Sequence, residues 1–514
     1  MKLSSKHSNE QNFLFNDFSG GLNSTVAQEM IADNELSFCE NMEIDQSTRL
    51  LKVVDGNKNI FTPAGNITLK SVMYDVINHI SLVVDGNNAV YKIDLTADKP
   101  VLSEPLGALT GNLFPCYASW ESGVLIASGG KLQYYNGTSL VTLANSKDKC
   151  SAVYVKSGRV LVNDLTAGNE SNIYLSATGD EETWLDTSSD DSSSKWLEVG
   201  YKDGGKIIAF VPMSSDVLVI KDNKCIYRIV GDYPNWSVPE VSRNTECISP
   251  GGFYAAGSSA YILGTNKIQY LDTAQFYGDI KPKDIGTKVA DKLQTVQPNS
   301  RMIHVPPLRQ VWIPLQQRYV LIFDYTVNAF YMRRFVKEDI TDVLSIGSDV
   351  YVVRPTSICK IAKNVGYDNG EKMMWRFIGK RNVSSDDFLL KRAKVSITPY
   401  FNTLIEGNIH IGAAVLPLPT PQISYKLWHN YSRLYHNRRK ICTADERSYD
   451  LYATGELLYE NFEPLWHNYK PLYNPAVSSM STRANNRMRT IGISGTGSGC
   501  CFTINSIEYR IAEV

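Results

Sequence analysis

Residues 81–94 read SLVVDGNNAVYKID. An apolar run meets an Asp-Gly-Asn-Asn turn, and a second run carries a tyrosine. Glycine and asparagine accept positive φ at low cost, so the two runs read as a hairpin. The same pattern recurs down the chain. VLIASGGKLQYYNG (124–137) is the next copy, and VYVKSGRVLVNDLTAGNESNIYLSATGDEETW (153–184) follows with a longer turn. IIAFVPMSSDVLVIKDNKCIYRIVGD (207–232) and GGFYAAGSSAYILGTNKIQYLD (251–272) come after it. RQVWIPLQQRYVLIFDYTVNAFYMRRF (309–335) and VLSIGSDVYVVRPTSICKIA (343–362) complete the series.

One aromatic marks each of the first six copies: Tyr91, Tyr134, Tyr174, Tyr227, Tyr270 and Phe323. They stand 40–53 residues apart, close to the length of a four-stranded propeller blade. The predicted fold is therefore all-β, a β-propeller of six or seven blades. A pair of β-sandwiches built from meanders is the competing arrangement.

Composition agrees with a β-rich chain of more than one domain. There are 514 residues, and 29 of them are tyrosine, a strand-favouring residue. The net charge is −1, from 52 Lys+Arg against 53 Asp+Glu, which does not suit a nucleic-acid clamp. The first residues, MKLSSKHSNEQNFLF, hold no apolar core of a signal peptide, and no run approaches the length that spans a membrane. The nine cysteines include no C-x-x-C pair and read as free thiols of a protein made in a reducing cytoplasm.

Three regions are expected. Residues 1–60 read as an extended arm with anchors at Phe13, Phe15 and Phe18 and one helical turn around 33–41. Such an arm can complete the propeller or wrap a neighbouring subunit. Residues 61–365 form the propeller. Residues 366–514 alternate like strands of a β-sandwich, interrupted by an irregular insertion at about 417–485.

The insertion contains a duplication, LWHNYSRLYHN (427–437) and LWHNYKPLYNP (465–475). A large aromatic stands at each end of a polar pair, which suits a contact surface: Trp428, Tyr431, Trp466 and Tyr469 as anchors, with His and Asn bonding at the edge. Folding of the insertion itself is the plainer explanation. His429, His436 and His467 lack the spacing of a metal site. No metal, cofactor or catalytic residue is expected.

Other stretches read as structure. GISGTGSG (492–499) lacks the Lys-Ser/Thr ending of a phosphate loop and is expected to be a glycine-rich hairpin. SATGDEETW (176–184) differs from the Asp-box of sialidases in residue order and reads as a blade turn with Trp184 packed beneath it. HNRRK (436–440) is a local basic knot, read as a solvated surface.

Together, three stretches resemble a known family. FSGGLNSTVAQEMIADNELSFCENME (18–43) is similar to the N-terminal signature of bacteriophage tail propeller proteins, an F-x-G-G-L-N opening followed by D-N-E and a later N. SNIYLSATGDEETW with DGGKIIAFVPMSSDVLVIKDNKCIYRIVGD, and then ECISPGGFYAAGSSAYILGTNKIQYLD, resemble the central blades. The closest group is the tail nozzle, or packaged-DNA stabilization, proteins of short-tailed phages. The resemblance implies a structural virion protein, assembled in the host cytoplasm as a ring, expected to be a hexamer. It implies an adaptor or connector above, a tail fibre or needle as neighbour, and viral double-stranded DNA passing through without sequence-specific binding. A wall with few basic contacts would let that DNA slide. The alternatives are a carbohydrate-processing or carbohydrate-binding propeller and a monomeric scaffold propeller.

Overall fold

The computed structural model describes residues 10–513 apart from 185–189, 214–215, 232–234, 258, 273–281, 297–299, 364, 401–405, 483–485 and 500; within 419–477 it describes only short two-residue strands and Pro471 among its neighbours. Strand dominates. The helices among the described residues are Ala290–Leu293 and two three-residue 3-10 turns. The chain divides into two compact units: Asn59–Leu321 with Lys337–Lys360, and Met1–Lys58 with Ile322–Val336 and Ile361–Val514. Residues 322–336 thus group with the second set of segments, apart from the strands that precede them.

The first unit is a six-bladed β-propeller. Blade one is Leu69–Asp75, Ile80–Asp85, Ala89–Lys92 and Gly107–Ala108. Blades two to five repeat this plan, opening on Cys116–Trp120, Val153–Lys156, Ile207–Met213 and Phe253–Ala256. Blade six comprises Asp342–Ile346, Asp349–Arg354 and Ser357–Ala362, and takes its next strand from Gly56–Phe61. A strand from before the first blade thus completes the last, which closes the ring and leaves no open edge there.

The blades are held by what lies between them. Second strands such as Gly123–Ala127 and Asp216–Lys221 are buried at every residue, because a blade on each side covers both faces. Tyr91, Tyr134, Tyr174, Tyr227 and Tyr270 all sit on third strands, opposite Val83, Leu125, Val162, Val219 and Tyr261. Tyr134 packs with Trp120, Leu125, Val160 and Trp184 between blades two and three. Tyr227 packs with Leu161, Ile173 and Phe210 between blades three and four. Tyr91 joins Leu69, Tyr351 and Ile358 at the closing seam. Each such side chain gains about 1.5–3 kcal/mol on full burial, so the repeat spacing follows from the packing.

Phe323 does not mark a separate blade, which corrects the reading of 309–335. Ile303–Val305, Gln310–Pro314, Tyr319–Asp324 and Ala329–Arg334 form a meander whose last strand neighbours Glu35–Glu40 in a larger sheet. Any antiparallel meander shows the same alternation, so a blade and this meander look alike in sequence. Its first two strands belong to the propeller unit, where His304 stacks on Tyr254 of blade five at 4.1 Å.

The second unit is organised by one strand, Met374–Tyr400. Its first half pairs with Asn486–Ser498, and its second half with Cys501–Glu513. Ser498 lies opposite Met374 and Cys501 opposite Tyr400. Three residues of chain reach at most about 10 Å, whereas the strand, if straight, would run roughly 85 Å. The strand must therefore turn back on itself, and the register breaks between Ile378 and Arg381 and between Val383 and Phe388 mark the corner. Its halves form two facing layers, and Trp375 of one meets Phe502 of the other edge to face at 5.1 Å.

The glycine-rich stretch is explained here. It is the end of the strand Asn486–Ser498, turning at Gly499 (φ +63°), and not itself a hairpin. A Cβ on Gly495 would lie 2.3 Å from Cε1 of Phe377, and one on Gly497 2.5 Å from Cζ2 of Trp375. The glycines leave room for two fully buried rings.

The N-terminal arm is taken up by the same sheet. Glu10–Phe15 pairs antiparallel with the last strand, Phe13 opposite Tyr509 and Phe15 opposite Ile507. The stretch expected to turn as a helix is the strand Glu35–Glu40, paired with the first half of Met374–Tyr400. Tertiary pairing overrides the local cap-like D-N-E signal there.

Candidate functional site

The expected anchors of the arm are placed within the chain itself. Phe18 is 1% exposed and Phe15 7%. Phe13 is half-buried and stacks on Tyr509 at 4.8 Å, and Phe15 stacks on the same ring at 5.8 Å. Burial lifts the Tyr509 hydroxyl to about 12, with a hydrogen bond from Asn382 the smaller, opposing influence. These rings spend their apolar surface on the C-terminal strand, while Leu14 between them stays 58% exposed.

The signature at 18–43 is an interlocked clasp. Leu22 is fully buried beside Phe18 in sequence space, and the two glycines between allow the turn. A Cβ on Gly20 would fall 2.6 Å from Cγ of Glu35; Gly21 has φ +65° and would meet Cβ of Ala329 at 2.7 Å. The buried Glu35 carboxylate accepts from Asn23 Nδ2 and from the backbone N–H of Ala32, both at 2.8 Å. Asn34 Nδ2 donates to Ser19 Oγ, and the Gly20 N–H to the Asn34 carbonyl.

Asn41, the last signature residue, is 1% exposed and left-handed at φ 53°. Its Nδ2 donates to the Met374 carbonyl at 2.6 Å, its Oδ1 accepts from the Arg334 N–H, and its own N–H donates to the Met332 carbonyl. It thus ties three segments far apart in sequence. Gln28 Nε2 donates to the Gly379 carbonyl, and Lys380 pairs with Asp33 at 2.8 Å. The clasp is fastened to the corner of the long strand.

The duplicated motif falls largely outside the described residues, and the side chains of Trp428, Tyr431, Trp466 and Tyr469 lie outside them. The backbone strands that are described follow one rule. Trp428–His429 pairs with Ser432–Arg433, and Trp466–His467 with Lys470–Pro471. Tyr435–His436 pairs with Arg439–Lys440, and Tyr459–Glu460 with Glu463–Pro464. Each ladder encloses an Asn and one further residue, and the ladders fall into two pairs whose members stand seven residues apart, at 428 and 435 and at 459 and 466. In sequence, each LWHNY copy is thus one of two adjoining seven-residue units, LWHNYSR followed by LYHNRRK and LYENFEP followed by LWHNYKP.

In the propeller, Asp180 is engaged by its own turn. Its carboxylate accepts from the Glu182 N–H and from Thr183 Oγ1 of its own turn, and Trp184 is buried beneath, as the sequence suggests. Two exposed aromatics were not singled out in sequence: Trp196, on the outer strand of blade three, and Tyr201 just after it, 62% and 73% exposed. Alternation alone could have marked Trp196 as outward-facing.

A cavity of about 550 Å³ opens among the first strands of blades one, two, five and six and the strand Ile303–Val305. At its wall Arg301 Nη2 pairs with Asp342 at 2.5 Å, and its guanidinium lies 3.7 Å over the Phe114 ring. Asp342 also accepts from Ser71 Oγ, the Val72 N–H and the Val343 N–H. Lys70 Nζ donates to Asn88 Oδ1 and to the carbonyls of Asn112 and Leu113. Burial lowers the Lys70 ammonium and pushes His304 down to about 4, so the imidazole is neutral near pH 7.

No family model and no curated protein matches the chain. Part of the chain is similar to solved structures of low sequence identity. YCF48 from Cyanidioschyzon merolae matches 59% of this chain and 98% of its own at 9% identity and TM-score 0.40. The WD40 beta propeller domain of Doa1 matches 59% and 96% at 13% identity and TM-score 0.39. YCF48 bound to D1 peptide matches 58% and 93% at 10% identity and TM-score 0.37.

Proposed function

We propose that this chain is a structural protein of a bacteriophage tail, one subunit of a nozzle ring below the portal and its adaptor. The ring retains packaged DNA and forms the channel by which it leaves. The observation that supports this reading is the clasp at 18–43. The residues that carry the resemblance to nozzle proteins, Phe18, Gly20, Gly21, Leu22, Asn23, Glu35 and Asn41, hold the architecture together and are not arranged for chemistry. A signature of that kind follows a shared build, and the resemblance supplies the role.

The partners in this reading are further copies of the chain, an adaptor, and a fibre or needle protein. DNA slides past a chain whose charges nearly cancel, since few phosphates are neutralised and few counterions released. The role is mechanical and not enzymatic. The duplicated segments at 427–437 and 465–475 supply the contacts to a neighbouring protein.

Electron cryomicroscopy of particles carrying this chain tests the proposal. The expected result is a ring, with six copies the expected number, beneath the portal. A chain that stays monomeric in solution and is absent from particles would overturn it. The contact surface is tested by comparing Trp428→Ala/Trp466→Ala with His429→Ala/His467→Ala. Loss of ring formation or infectivity with the tryptophan pair is expected, because a buried interface aromatic commonly contributes about 2 kcal/mol or more. Loss with the histidine pair alone would assign those loops another role.

A further inference from the structure

The cavity among the first strands of blades one, two, five and six has no part in the nozzle reading. Its volume of about 550 Å³ lies in the range of small-ligand sites, roughly 300–1,000 Å³. Most of its lining is apolar, with Met73, Leu113, Phe114, Phe253, Met302 and Ile303 contributing. Asn112 and Leu113 are exposed, so the cavity reaches solvent beside them.

Its charged groups are unevenly committed. Lys70 has three N–H donors and three acceptors, so it contributes a field and no spare hydrogen bond. The four contacts of Asp342 leave it no demand for another partner. Arg301 differs. A guanidinium has five N–H donors, and the partners of Arg301, Asp342 and the Thr341 carbonyl, are both reached through Nη2. Nε and Nη1 are left to whatever fills the cavity. The side chain is also fixed in place: Phe114 lies under its plane, and Gly251 leaves room for its stem, since a Cβ there would be 3.2 Å from Cδ.

Lys70 and Arg301 against Asp342 leave a net charge of +1 (two positive, one negative) with His304 neutral. A single negative charge balances this, and an apolar wall calls for an apolar body behind it. A phosphate dianion would bring more charge than the site offsets. We propose that the axial cavity binds a monocarboxylate on an apolar body, with Arg301 as the donor to the carboxylate. That carboxylate can belong to a small free acid or to the C-terminus of an apolar peptide.

Calorimetry on the full chain tests this with four probes: 3-phenylpropanoate, 3-phenylpropanamide, and the tripeptide Leu-Leu-Phe with a free or an amidated C-terminus. At least one carboxylate should bind at least about tenfold more tightly than its amide, the scale of one charge-assisted hydrogen bond. Binding of the free acid alone assigns a small-molecule ligand, and binding of the free tripeptide alone a peptide terminus. Arg301→Gln should abolish the preference for the acid. Because that change leaves Asp342 without its partner and can unfold the chain, Leu113→Trp serves as the second variant. It fills the cavity from an exposed position, leaves the Arg301–Asp342 pair intact, and should weaken binding at least about tenfold. Equal binding of acids and amides, no binding of any probe, or unchanged binding to Leu113→Trp would each overturn the proposal.

Discussion

Trp375 and Phe502 meet edge to face at 5.1 Å, each fully buried, across two layers that share one folded-back strand. The pair sits by the two ends of that strand: Trp375 is its second residue, and Phe502 lies opposite Pro399, its last but one. Replacing either ring by alanine should cost about 3–5 kcal/mol. Because the rings touch, the double variant should lose less than the sum of the two single losses. Urea unfolding of the three variants measures this; strict additivity would show that the layers do not depend on the contact.

Gly495 exists to admit a ring. Gly495→Ala would place a methyl against Phe377 and Ile409 side chains only, with no backbone atom among its nearest contacts. It should cost about 1–3 kcal/mol, in the range of overpacked cores. Adding Phe377→Leu should recover part of the loss. A melting temperature lowered further by the second change would argue against a steric cause.

Within the clasp, the order of importance should follow burial. Phe18→Ala should be the most damaging of the three phenylalanine changes, about 3–5 kcal/mol, and Phe13→Ala the least, since its ring is only half-covered. Asn41→Ala should cost about 2–3 kcal/mol, because it leaves the Arg334 N–H and the Met374 carbonyl without their partner. Chemical denaturation gives the ranking. An Asn41 variant as stable as the parent would show that the three tied segments are held by other means.

Acid should destabilise the chain first through His304 and then through carboxylates held below their usual range, Asp45 among them. His304 is held neutral by burial, with its value pushed down to about 4, while an unfolded histidine titrates near about 6.5. Between those values the unfolded chain binds the extra proton, so stability falls as pH drops from about 6.5 towards about 4. Asp45 follows. Burial alone would raise it, but hydrogen bonds from Ser47 and Thr48 outweigh that and bring it to about 2. Its contribution is full above about 3.9 and is lost as pH falls towards about 2. Melting curves against pH should show the first step vanish in His304→Gln and persist in Asp45→Asn.

Much of the propeller was legible because its packing repeats. Each marker tyrosine sits on a third strand, and the spacing between tyrosines is the spacing between blades. Phe323 carried the same local signal, but the partner of its meander lies some 290 residues earlier, where no local pattern reports it. The glycines of 492–499 were recognised as structural, yet their reason lay in Trp375 and Phe377, on a strand more than a hundred residues away. The cavity was missed for the same reason: Arg301, Asp342, Ser71 and Phe114 have no shared motif and meet only when the ring closes.

The order of synthesis gives the arm's pairing a further meaning. Asn12 and Arg510, which bond across the pairing of the first strand with the last, are 498 residues apart. At about 5–20 residues per second, the first strand waits roughly 25–100 s for its partner to be made. Throughout that time a nascent chain carries an unpaired edge with Phe13, Leu14 and Phe15 on it. On a polysome, finished C-terminal strands of neighbouring copies are available before its own. The arm is therefore a place where a chain still being translated can meet the C-terminal strand of a copy made earlier, and its pairing depends on timing as well as on affinity.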